Sequence, residues 1–184
     1  MISVQHTSRA PTRWVNTIRA RLELLWAGSA ALTRSASCAA SAPDNPFPDR
    51  PRILVVDDCP VNQLLMAALL WHWGITPLVA ADGAEAVALA CGQDFDLILM
   101  DLQMPVLDGL TATRHLRRFE RENACPRTPV VAYTSGPFGA NESLLEACGL
   151  DASLEKPCNT QSLEECLTRW CGHDLKVLAH CPAS

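Results

Sequence analysis

Residues 96–109 read DLILMDLQMPVLDG. Leu97, Ile98, Leu99 and Met100 form a continuous apolar run without polar alternation, the pattern of a strand buried on both faces of a parallel sheet. Asp101 follows directly, Pro105 interrupts the chain four residues later, and Asp108-Gly109 has turn composition. A carboxylate at the tip of a buried strand is costly to desolvate unless something pairs with it. The chain must therefore bring partners to Asp101 from elsewhere.

Working outward, strand and helix patterns alternate. RILVVDD (52–58) is a β-branched run closed by Asp57 and Asp58. PVNQLLMAALLWHWG (60–74) opens with proline at a plausible first helical position and stops at Gly74. ITPLVA (75–80) is a weaker strand whose Pro77 argues for a sheet edge. Residues 82–91 predict a short helix, 95–100 a strand, 110–122 a helix with a basic outer face, and 128–135 a strand. Residues 141–149 predict a helix opened by Asn141, 151–157 a short strand, and 159–172 a last helix capped by Thr160 or Asn159. Five strands in strict alternation with five helices predict a doubly wound α/β fold with a parallel sheet covered on both faces. No internal repeat interrupts that pattern.

Composition sets limits around this core. Residues 1–42 carry five arginines against one glutamate, whereas residues 43–184 carry ten basic against nineteen acidic side chains, which argues against nucleic-acid binding by the larger part. Residues 35–51, SASCAASAPDNPFPDRP, have linker composition. The expected organisation is an N-terminal extension over 1–50, a folded domain over 51–173 and a tail over 174–184. Trp14, Ile18, Leu22, Leu25 and Trp26 fall on one helical stripe. A rival reading of residues 14–40 as a secretory signal is weakened by Glu23 and Arg34. No transmembrane run is encoded. The nine cysteines are irregularly spaced and lack a C-x-x-C pair, so reduced thiols in a cytoplasmic protein are expected rather than a disulfide framework or a structural zinc.

In doubly wound folds the ligand lies beyond the carboxyl ends of the strands. Asp57 and Asp58, Asp101, and Thr134 with Ser135 fall at such ends, and Lys156, followed by Pro157, comes after the last strand. If strands one, three, four and five are neighbours, these groups converge. Three carboxylates and one lysine leave about −2 unpaired, tolerable only with a cation or raised pKa values. A hard divalent ion with oxygen ligands, Mg²⁺ by type, fits that deficit. Phosphoryl transfer uses each part: a carboxylate nucleophile yields an acyl phosphate. The metal and Lys156 neutralise phosphoryl oxygens, and the Thr134 hydroxyl with backbone N–H groups past Asp101 binds the rest.

ILVVDD, LILMDLQMPVLDG, PVVAYTS and LEKP, in that order and with these gaps, resemble the receiver domain of bacterial two-component response regulators. PVNQLLMAALL and MDLQMPVLDGLTATRHLR are most similar to receivers attached to hybrid sensor histidine kinases or relays derived from them. The resemblance covers roughly residues 52–172. It implies a flavodoxin-like (βα)5 fold with strand order 2-1-3-4-5. It makes Asp101 the phospho-acceptor and gives the metal to Asp57, Asp58, Asp101 and the backbone carbonyl of Gln103. Thr134 becomes the hydroxyl switch residue and Lys156 the phosphate-sensing lysine. The implied phosphodonor is a histidine kinase or histidine phosphotransfer protein, and the implied output is contact with an unidentified target protein, since only some twelve residues follow the last helix. No small-molecule cofactor is implied, and no enzymatic turnover beyond the chain's own phosphorylation and dephosphorylation. One departure is Ser153, where the family usually places an aromatic residue three positions before the lysine.

Other readings compete with this one. A degenerate receiver would use the fold for binding alone. A phosphatase of the haloacid-dehalogenase type also forms an aspartyl phosphate but needs an acid two residues after its nucleophile, where this chain has Gln103. Cys59 and Cys158 flank the expected site, with packing favoured over redox sensing. His72 and His115 lack the helical context of a phosphodonor. Arg114, Arg117, Arg118 and Arg121, interleaved with Glu120 and Glu122, read as a solvated helix face.

Overall fold

The computed structural model describes residues 50–135 and 142–172, without the side chains of 142–144. The expectations for the N-terminal extension, the Asn141 cap and the C-terminal tail lie outside these residues.

The alternation of the sequence is realised as β1 (Ile53–Val56), α1 (Pro60–Trp71), β2 (Leu78–Ala80), α2 (Gly83–Gly92), β3 (Leu97–Met100), α3 (Gly109–Glu122), β4 (Val130–Thr134), α4 (Glu142–Cys148), β5 (Ala152–Glu155) and α5 (Thr160–Cys171). The strands form one sheet in the order β2-β1-β3-β4-β5, every pair parallel. Its register sets Val56 opposite Met100 and Thr134 opposite Glu155, so the carboxyl ends lie along one edge. This is the flavodoxin-like arrangement expected from the resemblance.

Strand parity divides the core. Ile53, Val55, Leu97, Leu99, Val131, Tyr133 and Leu154 pack in one buried cluster with Met66 and Leu70 of α1 and Leu163 and Leu167 of α5. Residues of the opposite parity, Leu54, Val56, Ile98, Met100, Val130 and Ala132, are also buried. They face the other layer, to which α2, α3 and α4 contribute Ala86, Val87, Ala112, Leu116 and Leu145. Continuous apolar strands are what a sheet covered on both faces requires.

The strands are shorter than their apolar patterns. β2 starts only at Leu78, after Pro77, and pairs with β1 alone, which confirms it as an edge. α1 ends at Trp71 and a turn carries the chain to Gly74, where φ is +65°. Asn159, not Thr160, caps α5, its side chain accepting the Ser162 N–H at 2.8 Å. One expectation is corrected: Arg117 is not on a solvated face. It is buried, pairing with Glu120 at 2.8 Å and Asp151 at 2.7 Å and donating to the carbonyls of Gly149 and Thr128. Its planar fork of donors is matched by acceptors on three segments, so the buried charge is compensated. Arg118, by contrast, is exposed and pairs with Glu122 along the helix.

Candidate phosphoryl-acceptor and metal site

Asp57 follows β1 directly and is fully buried, while Asp58, one residue further, is exposed. The Asp57 carboxylate organises the start of α1. Its Oδ1 accepts the backbone N–H of Cys59 at 2.9 Å and the Asn62 Nδ2 at 3.0 Å. Gln63 Nε2 donates to the Asp57 carbonyl at 2.6 Å. Cys59 occupies the cap position of α1 without a side-chain cap, and Pro60 needs no N–H partner there. Asn62 and Gln63 went unremarked in the sequence; their signal is the amide pair in the first helical turn after the paired acids.

Asp101 sits in the same relation to β3, nearly buried, with its backbone N–H bonded to the Val56 carbonyl at 2.9 Å. Its Oδ1 accepts the Gln103 backbone N–H at 3.0 Å. The loop beyond turns tightly: Leu107 N–H donates to the Pro105 carbonyl at 2.8 Å and Val106 lies at φ +69°. A β-branched residue in that region is strained, as in a γ-turn. Asp108 then caps α3, accepting the Thr111 backbone N–H at 2.9 Å and its hydroxyl at 2.7 Å. These bonds, the backbone one foremost, hold the Asp108 carboxyl below its ordinary pKa.

Lys156 closes the site from beyond β5. Its Nζ donates to Asp57 Oδ2 at 2.5 Å and to Asp101 Oδ2 at 2.6 Å. Its backbone N–H donates to the Thr134 carbonyl at 3.0 Å, which ties Lys156 to the buried end of β4. The ammonium also lies 4.8 Å from the centroid of the Tyr133 ring. The Tyr133 hydroxyl meets Cys158 Sγ at 4.0 Å. Burial pushes the pKa of both the tyrosine and this thiol upward, leaving them neutral beside the lysine.

Four of the sequence-derived residues thus come together, Asp57, Asp58, Asp101 and Lys156, while Thr134, buried at the end of β4, is joined to them through its backbone carbonyl. Asp57, Asp58 and Asp101 each offer a carboxylate oxygen within 4.8 Å of the others. One ammonium bridges two of these three acids, so about two negative charges remain uncompensated if all three are ionised. An all-oxygen donor set with surplus negative charge suits a hard divalent cation, and the residues fit Mg²⁺. A nearly buried carboxylate with a lysine at its tip can act as a nucleophile toward an electrophile whose anionic oxygens that lysine can bind. The peptide of Gln103 lies at Asp101, while its exposed side chain offers no acid for haloacid-dehalogenase chemistry.

The family model for the response regulator receiver domain matches residues 53–168. Sensor protein GacS of Pseudomonas syringae pv. syringae is 39% identical over 127 residues, which cover 68% of this chain and 14% of GacS. Histidine kinase 5 of Arabidopsis thaliana is 31% identical over 144 residues, covering 66% of this chain and 16% of that protein. The chain therefore spans only a small fraction of the length of these relatives. Among solved structures, one similar chain is the receiver domain of sensor histidine kinase PA1611 from Pseudomonas aeruginosa PAO1, which has a magnesium ion coordinated in its active site cleft. It is 37% identical, with a TM-score of 0.59, over 67% of this chain and 98% of that one. Another comes from the co-crystal structure of the Saccharomyces cerevisiae phosphotransfer protein Ypd1 with the receiver domain of Ssk1. It is 31% identical, with a TM-score of 0.60, over 65% of this chain and 89% of that one.

Proposed function

The chain belongs to the response regulator receiver domains, and from that premise we propose that Asp101 accepts a phosphoryl group in a two-component phosphorelay. The observation that carries this reading is the meeting of Lys156 with Asp57 and Asp101 at one strand edge, beside the exposed Asp58.

In this reading the receiver occupies residues 51–173. Asp57, Asp58, Asp101 and the Gln103 carbonyl would hold Mg²⁺, which supplies positive charge against the phosphoryl oxygens. An Asp101 oxygen attacks phosphorus on the donor's phosphohistidine. The P–O bond forms as the P–N bond breaks, and the departing imidazole takes up a proton. Lys156 exchanges its contact with Asp101 for one with a phosphoryl oxygen, keeping its charge where negative charge accumulates. The Thr134 hydroxyl, at the end of the neighbouring strand, takes another oxygen. The chain's only catalytic work is on its own acyl phosphate, and its output is contact with a target protein.

The donor is a histidine kinase or a histidine phosphotransfer protein. Val61 and Leu64 of α1 and Val106 of the loop after Asp101 are each about 70% exposed, an apolar surface on segments that begin at the site edge. A helical phosphodonor landing there would bring its histidine over Asp101. The free thiols of Cys59, Cys125, Cys148, Cys158, Cys166 and Cys171 support a reducing, cytoplasmic setting for this reading. No described helix is long and apolar enough to cross a membrane.

The test pairs two donors. With acetyl phosphate and Mg²⁺, wild type is expected to form one phosphoprotein and Asp101→Asn none. With a phosphorylated histidine donor, Leu64→Glu is expected to slow transfer about ten-fold or more while leaving acetyl phosphate labelling unchanged. Labelling of Asp101→Asn equal to wild type would move the acceptor to another residue, and a folded wild type that takes no label would favour a receiver that acts by binding alone.

A further inference from the structure

We propose that Tyr133 is a positioning residue for Lys156, its buried ring forming the support on which the ammonium is held against Asp57 and Asp101. The inference rests on the reading of Asp101 as acceptor. It goes beyond it by assigning work to a residue that the reaction does not touch.

Lys156 reaches its carboxylates through a flexible four-carbon stem, so two short ion pairs alone do not fix where its charge sits once one partner changes. That change is what the reaction imposes on Asp101. The contact with the ring at 4.8 Å is of another kind. The π face attracts a cation within about 6 Å and has no negative charge to compete for the phosphoryl group. It persists whichever oxygen the ammonium binds.

The ring is itself held firmly. Tyr133 is 2% exposed and pairs across the sheet with Leu154, two residues before the lysine. It belongs to the buried cluster that includes Leu163 and Leu167 of α5, and its hydroxyl meets Cys158, two residues after the lysine. The support and the segment carrying Lys156 are thus joined on both sides of the lysine, and the β4–β5 ladder continues through the Lys156 N–H to Thr134.

Tyr133 does not stand in for the missing aromatic at Ser153. The register pairs Ser153 with Ala132 and Leu154 with Tyr133, so strand alternation puts Ser153 and Tyr133 on opposite faces of the sheet. A ring at 153 would lie on the layer of α2 to α4, whereas Tyr133 lies on the layer of α1 and α5.

A tyrosine that only fills the core would give the same burial, so the test separates filling from positioning. The full chain is compared with Tyr133→Phe, Tyr133→Leu, Lys156→Met and the Tyr133→Leu/Lys156→Met double variant. Rates of Asp101 phosphorylation by acetyl phosphate are measured, together with the ring-current shift of the Lys156 ε-methylene protons by NMR without metal. Tyr133→Phe should keep the upfield shift and a rate within about two-fold of wild type, because the π face remains. Tyr133→Leu should lose the shift and slow phosphorylation about ten-fold, yet slow it less than two-fold when Lys156 is already Met. Equal slowing in both backgrounds, or an unshifted Lys156 in wild type, would overturn the proposal. Should Tyr133→Leu not fold, wild type and Tyr133→Phe decide it through the shift alone. A wild type that takes no phosphate but shows the shift would sink the acceptor reading and leave the ring-lysine contact standing.

Discussion

At Gly109 the backbone of the phosphorylation loop has no room for a side chain: a Cβ would lie 2.0 Å from the Asp101 carbonyl oxygen and 2.9 Å from Met100 Cγ. The glycine of the Asp-Gly pair therefore lets α3 begin directly against the acceptor's own peptide. Gly109→Ala is expected to destabilise the domain by about 1–3 kcal/mol and to displace Asp101. Urea unfolding and acetyl phosphate labelling check the two effects separately. The cysteines supply a second outcome at this scale. Burial pushes the thiols of Cys166 and Cys171 up to about 12, so almost no thiolate forms near neutrality. Both should resist iodoacetamide at pH 8 in the folded protein and react in urea, as peptide mapping would report. Asp57, Asp58 and Asp101 were legible as residues because each lies just past a continuous apolar run of strand length, and Lys156 because it stands with Pro157 after the short segment Ala152–Glu155. Asn62, Gln63 and Tyr133 were not, since their roles depend on distances that close only when β1 meets α1, or β4 meets the loop after β5.

At the scale of the element, α3 shows how a local signal and a distant one differ. Its N-terminus is set by Asp108, whose carboxylate accepts the first-turn N–H of Thr111. Asp108→Ala is expected to cost about 1 kcal/mol, measured by thermal or urea unfolding. Because the folded-state pKa of Asp108 lies below 3.8, this contribution is present above that value and disappears as pH falls through the lower, folded one. The difference in stability between wild type and Asp108→Ala should therefore be level near neutrality and shrink only in strong acid. Further along α3 the sequence misleads. Interleaved arginines and glutamates suggest a solvated face, yet Arg117 is drawn inward by Asp151, which lies 34 residues away in the chain. Periodicity reports which residues are apolar, and a buried cation recruited by a distant acid leaves no trace in it. Arg117→Met, which keeps bulk but strands Asp151 and Glu120, is expected to destabilise by about 3–5 kcal/mol in urea unfolding. The other element boundaries moved by only a few residues, because Pro77, Gly74 and Asn159 mark ends by backbone chemistry that a sequence displays directly.

For the whole molecule, the sheet order β2-β1-β3-β4-β5 turns features spread from residue 57 to residue 156 into one site. The alternation of elements implied a parallel doubly wound sheet, but the order of its strands came only from resemblance, because no local pattern says which strands become neighbours. The surplus of acid at the site edge also makes stability depend on a cation. Mg²⁺ at about 100 times its dissociation constant is expected to stabilise wild type by about 2.7 kcal/mol, a shift of several degrees in Tm. Asp57→Asn should show little or none of that shift, which differential scanning calorimetry would reveal. The most direct measurement of the central claim is chemical: incubate the chain with acetyl phosphate and Mg²⁺, reduce with borohydride, and locate the modified residue by tandem mass spectrometry. An acyl phosphate on Asp101 is reduced to homoserine at position 101, and its loss when Mg²⁺ is chelated is the expected result. Homoserine at another aspartate, or none in a chain shown to be folded, would contradict the account.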